Sequence, residues 1–528
     1  MWTMTRAPQS EPARLFLNGK LLTLSRKRPR AGAMLVEGGR ISAIGPPGEV
    51  RRSAPRGVER IDLRGQLVLP GFIDCHTHFV QMGVDSMAVD LTNARSLKEA
   101  LGFIRKAAEN VDEGRWVIAT GWRESSWPGG RFITKRDLDE CCPHNPVVAY
   151  RICGHLCSVN AAALSELCIE AGSDTIDRDS QGQITGVLRE SAVAVCRKAT
   201  KPDAKTKAKG LLIATKKAHG LGVTSVTDNG VGADLAAYLE AARRSELKVR
   251  VCFNVPSTSL DALRALSVST GLGDDWLRLG GLKVFCDGAL GARTAALTRP
   301  YADDPGNTGM LVHPREELDE LTSGANEAGV QLAIHAIGDA GIEVALRSLV
   351  SALNSHPRKD HRHRIEHLEV PSKVHLRTMH EAGIIASMQP NFVGEWGGTE
   401  EMYVSRLGLT RTARNNPFRE VIDNSVRLVF GSDCMPFSPL YGLSSAVNAP
   451  FESQRITPLE AIAAYTRDAA YASFEENVKG TLEEGKLADF AVLSADPTTD
   501  PDSLRTTTVT MTVVGGKIVY RRSVRTPT

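Results

Sequence analysis

Apolar residues recur in two rhythms along this chain. Near the N-terminus, 15–19, 32–36 and 40–45 are short apolar runs cut by Gly, Pro and Asn. They read as strands, with Asn18-Gly19 and Gly38-Gly39 placed as hairpin turns. The C-terminal end has the same habit. Residues 487–493 and 508–514 are strand-like, and Gly515-Gly516 turns the second into 517–520. Two β-rich ends around a different middle predict one small β-domain assembled from both termini.

The middle alternates apolar strand runs with helical periodicity. Eight strand candidates stand at 67–73, 223–227, 249–254, 282–285, 331–334, 363–365, 384–388 and 427–430. Helix-like stretches such as 235–244, 317–328 and 373–382 lie between them. Eight such βα repeats predict an α/β fold of the (β/α)8 TIM-barrel kind. A helix over 458–474, opened by Thr457 as N-cap, closes it. The segment 84–201 falls between the first and second barrel strands and is far too long for a βα connection. With a helix at 96–108, a strand at 116–120 and a Gly/Pro-rich loop at 126–131, it reads as an inserted α/β subdomain over the catalytic face. The expected domains are therefore 1–66 plus 476–528 (composite β-sandwich), 67–83 plus 202–475 (barrel) and 84–201 (insertion).

Composition narrows the function classes. The chain has 528 residues, 42% hydrophobic and 24% charged, and 64 Lys/Arg against 61 Asp/Glu leave a net charge of +3. That excludes a disordered, fibrous or strongly basic protein, and gives no argument for nucleic acid or an anionic membrane as partner. The first fifteen residues are polar and proline-interrupted, and no window of about 18 apolar residues occurs. A cytoplasmic protein is the expectation, with a homodimer as the assembly. The ten cysteines are scattered and suggest no disulfide framework. Cys153-Gly-His155-Leu-Cys157 lacks the usual metal-knuckle spacing, so reduced thiols are the better reading. The basic run at 25–30 reads as a solvated turn between strands rather than a targeting signal.

Active sites of such barrels sit at the C-terminal ends of the strands. The first candidate strand ends in Asp74-Cys75-His76-Thr77-His78, and residues i and i+2 of a strand point the same way, so both imidazoles can face one ion. The fourth carries Lys283, the fifth ends in His335, the sixth in His367 and the eighth in Asp433. Each has a bland explanation alone: a satisfied core histidine, or a turn aspartate. Four imidazoles and a carboxylate suit Zn2+ or a similar divalent cation, and the coincidence of all six residues on predicted strand ends is what carries the metal reading. An ammonium is no ligand, but a desolvated lysine can add CO2 to become a carbamate, an oxygen donor able to bridge two cations. Outside this set, His155 and Arg151 of the insertion, and Asp287 and Arg293 after the fourth strand, are candidate substrate contacts. Trp122 with Trp127 suggests an apolar pocket wall, and Asp339 a partner orienting His335; packing, loop salt bridges and helix capping are the plainer alternatives.

These residues stand in a longer pattern: Val68-Leu-Pro-Gly-Phe-Ile-Asp-Cys-His-Thr-His78, Gly121-Trp122, Asp137-Leu-Asp139, Gly186-Val-Leu-Arg-Glu190, Gly222-Val-Thr-Ser-Val-Thr-Asp228, Lys283-Val-Phe-Cys-Asp-Gly-Ala-Leu-Gly291, His335-Ala-Ile-Gly-Asp339, Arg364-Ile-Glu-His367, Gly431-Ser-Asp433 and Gly485-Lys-Leu-Ala-Asp489. From about Leu15 to Tyr520 the chain resembles the amidohydrolase superfamily, and within it the amidohydrolase-3 (YtcJ-like) branch that includes N-substituted formamide deformylases. The resemblance implies a distorted (β/α)8 barrel with a composite β-sandwich. It implies a divalent-metal hydrolase, zinc being the expected ion, at one or two per chain. By position, His76 and His78 would bind the buried metal and His335 and His367 the more exposed one. Lys283 as a carbamate would bridge them, and Asp433 would touch a metal and handle protons. The expected reaction is attack of a metal-activated hydroxide on a C–N bond of a small amide or formamide. A deaminase, a cyclic-amide hydrolase and an esterase or lactonase use the same scaffold; Lys283 weighs against the one-metal deaminases, which do without it. A non-catalytic scaffold is the remote alternative, since such relatives lose metal ligands and this chain keeps all six candidates.

Overall fold

In a computed structural model, residues 12–124, 127–151, 156–167, 175–189 and 191–522 are described. Their contacts divide into two compact units, 1–80 with 214–528, and 81–213.

The first unit holds an eight-stranded parallel sheet in chain order: β1 (Phe72–Thr77), β2 (Val223–Asp228), β3 (Arg250–Pro256), β4 (Leu277–Phe285), β5 (Gln331–Ala336), β6 (Arg364–His367), β7 (Ile385–Met388) and β8 (Leu428–Phe430). All seven pairings are parallel. The ring closes where β8 meets β1. The Ser432 amide donates to Asp74 Oδ1 at 2.8 Å, and the Asp433 amide to the His76 carbonyl at 2.8 Å. A Cβ on Gly431 would lie 2.4 Å from the His76 nitrogen, so only glycine admits this approach.

The first barrel strand is not the whole apolar run 67–73. Leu67–Pro70 belongs to another sheet, antiparallel to Phe490–Leu493 and parallel to Lys20–Leu22, and the barrel strand starts at Phe72. A continuous apolar run cannot say which sheet takes each half. That other sheet has six strands and joins both ends of the chain. Its partner, built from Arg14–Leu17, Ala33–Glu37, Arg40–Gly45 and Glu59–Asp62, packs against it through Phe16, Met34, Val68, Phe490 and Val513. Gly38-Gly39 and Gly515-Gly516 are hairpin turns with positive φ at both glycines. Asn18-Gly19 is not a hairpin: Arg14–Leu17 and Lys20–Leu22 lie in different sheets, and the chain crosses between them there. The basic run 25–30 connects two antiparallel strands. A buried ion pair, Arg250 Nε to Asp489 Oδ2 at 2.5 Å, fastens β3 to the C-terminal segment. The single helix expected over 458–474 is two, Pro458–Ala464 and Arg467–Ala472, broken at Thr466; Thr457 does cap the first, in a reciprocal box with Glu460.

The second unit is a six-stranded mixed sheet with helices. Strand alternation serves both faces. Val117, Ala119, Val147 and Ala149 enter one core with Trp122 and Trp127, while Ile118, Val148, Tyr150 and Cys157 enter another. No helix among the described residues is long and apolar enough to cross a membrane.

Candidate active site

The C-terminal ends of β1, β4, β5, β6 and β8 bring the six residues of the sequence pattern together. His76 is the penultimate residue of its strand, and His78 stands one residue beyond the strand's end at Thr77. Their ring centroids are 5.9 Å apart, and His76 Nε2 and His78 Nε2 lie 3.8 and 3.4 Å from Asp433 Oδ1. These three offer ligand atoms mutually within 4.8 Å, a geometry suited to one metal ion. His367 adjoins them, its ring 4.7 Å from that of His76 and 4.4 Å from that of His335.

Two local distortions aim this set. His367 and Asp433 both hold positive φ, 74° and 50°, and the residue after each does too. A left-handed residue breaks the strand's alternation and swings the side chain off the strand face. Such conformations cost about 1–3 kcal/mol each and survive where surrounding structure dictates them.

Burial sets the protonation of the cluster. It holds the His76 and His367 imidazoles well below their ordinary range, with His335 pushed down to about 3; the charge of Lys283 adds to it in all three. Neutral imidazoles keep a lone pair for a cation. Burial also pushes the Lys283 ammonium down to about 8, opposed by the nearby carboxylates of Glu366 and Asp433. Lys283 Nζ has no hydrogen-bond partner and lies 4.9 Å from the Phe285 ring centre. Burial pushes Asp433 up to about 7, against the pull of Lys283. His367 Nδ1 is buried without a partner. Buried polar atoms without a partner are costly, and a divalent cation would take up imidazole lone pairs and the carboxylate of this cluster, while the Lys283 nitrogen would need separate chemistry to contribute.

His335 donates from Nε2 to the Gly288 carbonyl at 3.0 Å, which leaves Nδ1 as the nitrogen with a free lone pair in the neutral ring. It is not oriented by Asp339, whose carboxylate takes the backbone amide and hydroxyl of Thr298. Asp287 does not reach toward substrate either. It is 1% exposed and accepts the amides of Ile337, Gly338 and Ala296, each at 2.9 Å, pinning the loops after β4 and β5. Arg293 is engaged by Asp303 through two hydrogen bonds, at 2.9 and 3.1 Å. In the second unit, Trp122 is fully buried, donates to the Ala149 carbonyl and stacks on Trp127, so no face of it is open to a ligand. Arg151 forms a two-bond pair with Glu124, at 2.8 and 2.9 Å. His155, with Cys153 of the candidate knuckle, lies outside the described residues; Cys157 faces Cys196, sulfur to sulfur at 3.7 Å.

The pattern of ligand-like residues overlooked what stands behind them. Glu366 is fully buried; its Oε2 receives His76 Nδ1 at 2.5 Å and Ser387 Oγ at 2.8 Å, and its Oε1 receives Arg364. The signal was present in Arg364-Ile-Glu366: opposite charges two apart on one face of a short, fully buried strand. Asp74 is likewise buried and pushed up to about 7 by desolvation; its Oδ1 takes the amides of His76 and Ser432.

A closed parallel barrel with a polar cluster of neutral imidazoles, lysine and carboxylate at its catalytic rim defines the class of metal-dependent hydrolases. Residues 59–520 match the amidohydrolase-3 family, described as "Amidohydrolase family", and the chain belongs to it. Residues 32–56 match an imidazolonepropionase-like composite domain of bacteria. The chain is 31% identical to a putative amidohydrolase YtcJ of Bacillus subtilis, over 96% of this chain and 99% of that one. It is 28% identical to an N-substituted formamide deformylase of Arthrobacter pascens, over 96% and 98%. An uncharacterised metal-dependent hydrolase of Pyrococcus furiosus superposes with a TM-score of 0.81 at 29% identity, covering 92% of this chain and all of that one. The protein is thus a hydrolase of the amidohydrolase superfamily built to work with a divalent metal.

Proposed function

We propose that this protein hydrolyses a carbon–nitrogen bond of amide or formamide type in a small molecule. One observation carries the reading: four neutral imidazoles, a partnerless lysine and a carboxylate converge at one barrel rim with buried donor atoms unused. The relative described as an N-substituted formamide deformylase supports the bond class.

His76 and His78 would hold one cation, and His335 and His367 a second. The donor set suits Zn2+. A bound divalent cation supplies Lewis acidity and a water that loses its proton near neutral pH. The chain's own groups do the rest. The Lys283 amine, in its unprotonated form, would bond to the carbon of CO2 and release one proton, and the resulting carbamate would supply oxygen donors to the cations. Asp433 takes the proton of the attacking water on its carboxylate and returns it to the departing nitrogen.

The test is metal content on protein purified without chelator in the presence of bicarbonate, followed by turnover of N-alkyl- and N-arylformamides, simple amides, cyclic amides and aminoheterocycles. About two metal equivalents with formate or carboxylate release supports the proposal. Ammonia from aminoheterocycles, or ring opening alone, replaces it with a deaminase or a cyclic-amide hydrolase. No metal uptake from added Zn2+ or Mn2+ overturns it.

A further inference from the structure

We propose that Glu366 is a positioning residue: it fixes the tautomer of His76 and thereby sets how tightly the His76/His78 position holds its cation. This rests on the reading of His76 as a ligand.

Every oxygen of the Glu366 carboxylate is spoken for. Oε1 receives the buried guanidinium of Arg364, and Oε2 receives Ser387 Oγ at 2.8 Å and His76 Nδ1 at 2.5 Å. Arg364 is 1% exposed, and a buried guanidinium demands an ionised partner, so Glu366 can only accept. The His76 proton therefore sits on Nδ1. Nε2 is left with its lone pair on the side where Asp433 Oδ1 lies 3.8 Å away. The same Arg364 also donates from Nη2 to the Cys75 carbonyl at 2.6 Å. One Arg–Glu pair on β6 thus holds both the ring of His76 and the backbone just before it on β1.

The other imidazoles lack this support. His335 donates to the neutral carbonyl of Gly288, with Asp287 Oδ1 3.9 Å from the same nitrogen and beyond hydrogen-bond reach, and His367 Nδ1 has no hydrogen-bond partner. Hydrogen bonds to an ionised acceptor are roughly twice as strong as neutral ones. The ring with the charged anchor is the one closest to a fixed ligand before any ion arrives. The His76/His78 position is accordingly the tighter of the two, and Glu366 is the reason.

Two measurements test this, neither of them an assay of turnover. In the first, Co2+ and Zn2+ affinity of the full chain is measured by chelator competition for wild type, Glu366→Asp and Glu366→Gln. Glu366→Asp keeps the charge opposite Arg364 but draws the carboxylate back from His76 by one methylene. The expected result is affinity weakened about 10–100-fold per folded molecule at the tighter site. Unchanged affinity in folded Glu366→Asp overturns the inference. The second reads the tautomer in the wild-type chain, a variant serving only to assign the signals. Nitrogen-15 histidine spectra of the metal-free chain, with the His76 signals assigned by their loss in His76→Asn, should show the proton on Nδ1. A proton on Nε2 overturns the inference. A purely structural role for Glu366 would lower the melting temperature while moving neither readout. A wild-type chain that takes up no divalent cation overturns the metal reading itself, a result separable from both of the others.

Discussion

The barrel rim and the core of the 81–213 unit solve opposite problems. Among the described residues, every buried side-chain polar atom without a hydrogen-bond partner lies outside 81–213, and Lys283 Nζ, His367 Nδ1 and Asp74 Oδ2 are among them. Among its described residues, the 81–213 unit leaves none. Its two buried tryptophans each donate to a carbonyl, and Asn160 alone bonds four backbone groups, at Cys142, Asn145, Val147 and Ala163. An unsatisfied buried group costs about 1–3 kcal/mol. The rim tolerates several, together with two left-handed residues that carry its chemistry. Unfilled polarity in one region and satisfied polarity among the described residues of the other separate a surface organised to receive something from a core organised to hold itself together.

Substitutions that strike one side and spare the other sharpen this contrast. The largest effect should follow removal of metal: dialysis against a chelator abolishes turnover, and Zn2+ or Mn2+ restores it. Cation at about 100 times its Kd should also add about 2.7 kcal/mol to stability, read from urea melts. Next, Asp433→Asn should lower kcat by about 10²–10⁴-fold while circular dichroism stays native; near-wild-type turnover removes Asp433 from proton transfer. Trp122→Ala should act in the other currency, costing about 3–5 kcal/mol in denaturant melts while each folded molecule keeps its metal affinity. A loss of affinity there would mean the two regions are not separable in this way. Asp287→Ala strips three backbone amides of their acceptor and should cost about 1–3 kcal/mol, with kcat falling only as the β4 and β5 loops loosen. The smallest effect is expected of Arg293→Ala, whose exposed pair with Asp303 should leave the melting temperature unmoved. A tenfold fall in kcat/KM from that change would make Arg293 a substrate contact after all.

The legible parts were those where a local pattern has one physical solution. Seven of the eight barrel strands fall within a few residues of their apolar runs. The glycine pairs at 38–39 and 515–516 turn as hairpins because both positions need positive φ. The 67–73 run misled, since apolar continuity carries no mark of the sheet that will claim it. Asn18-Gly19 misled in the same way: a turn motif records local bending, not whether its flanking strands pair. Trp122, Asp287 and Arg293 were candidates because their types suit ligands, yet each is engaged by a partner remote in the chain, Ala149, Ile337 and Asp303 among them.

By itself, then, the sequence determined which residue types could face a cation and on which strand ends they stand, because alternation and strand order follow from short-range geometry. Only the tertiary structure decided what surrounds them. The charge that anchors His76 comes from Glu366, 290 positions away, and the contact that seats Asp433 from β1, at the far end of the sheet. Burial, which keeps the imidazoles neutral and brings Lys283 down to about 8, belongs to the closed barrel and to no segment of it.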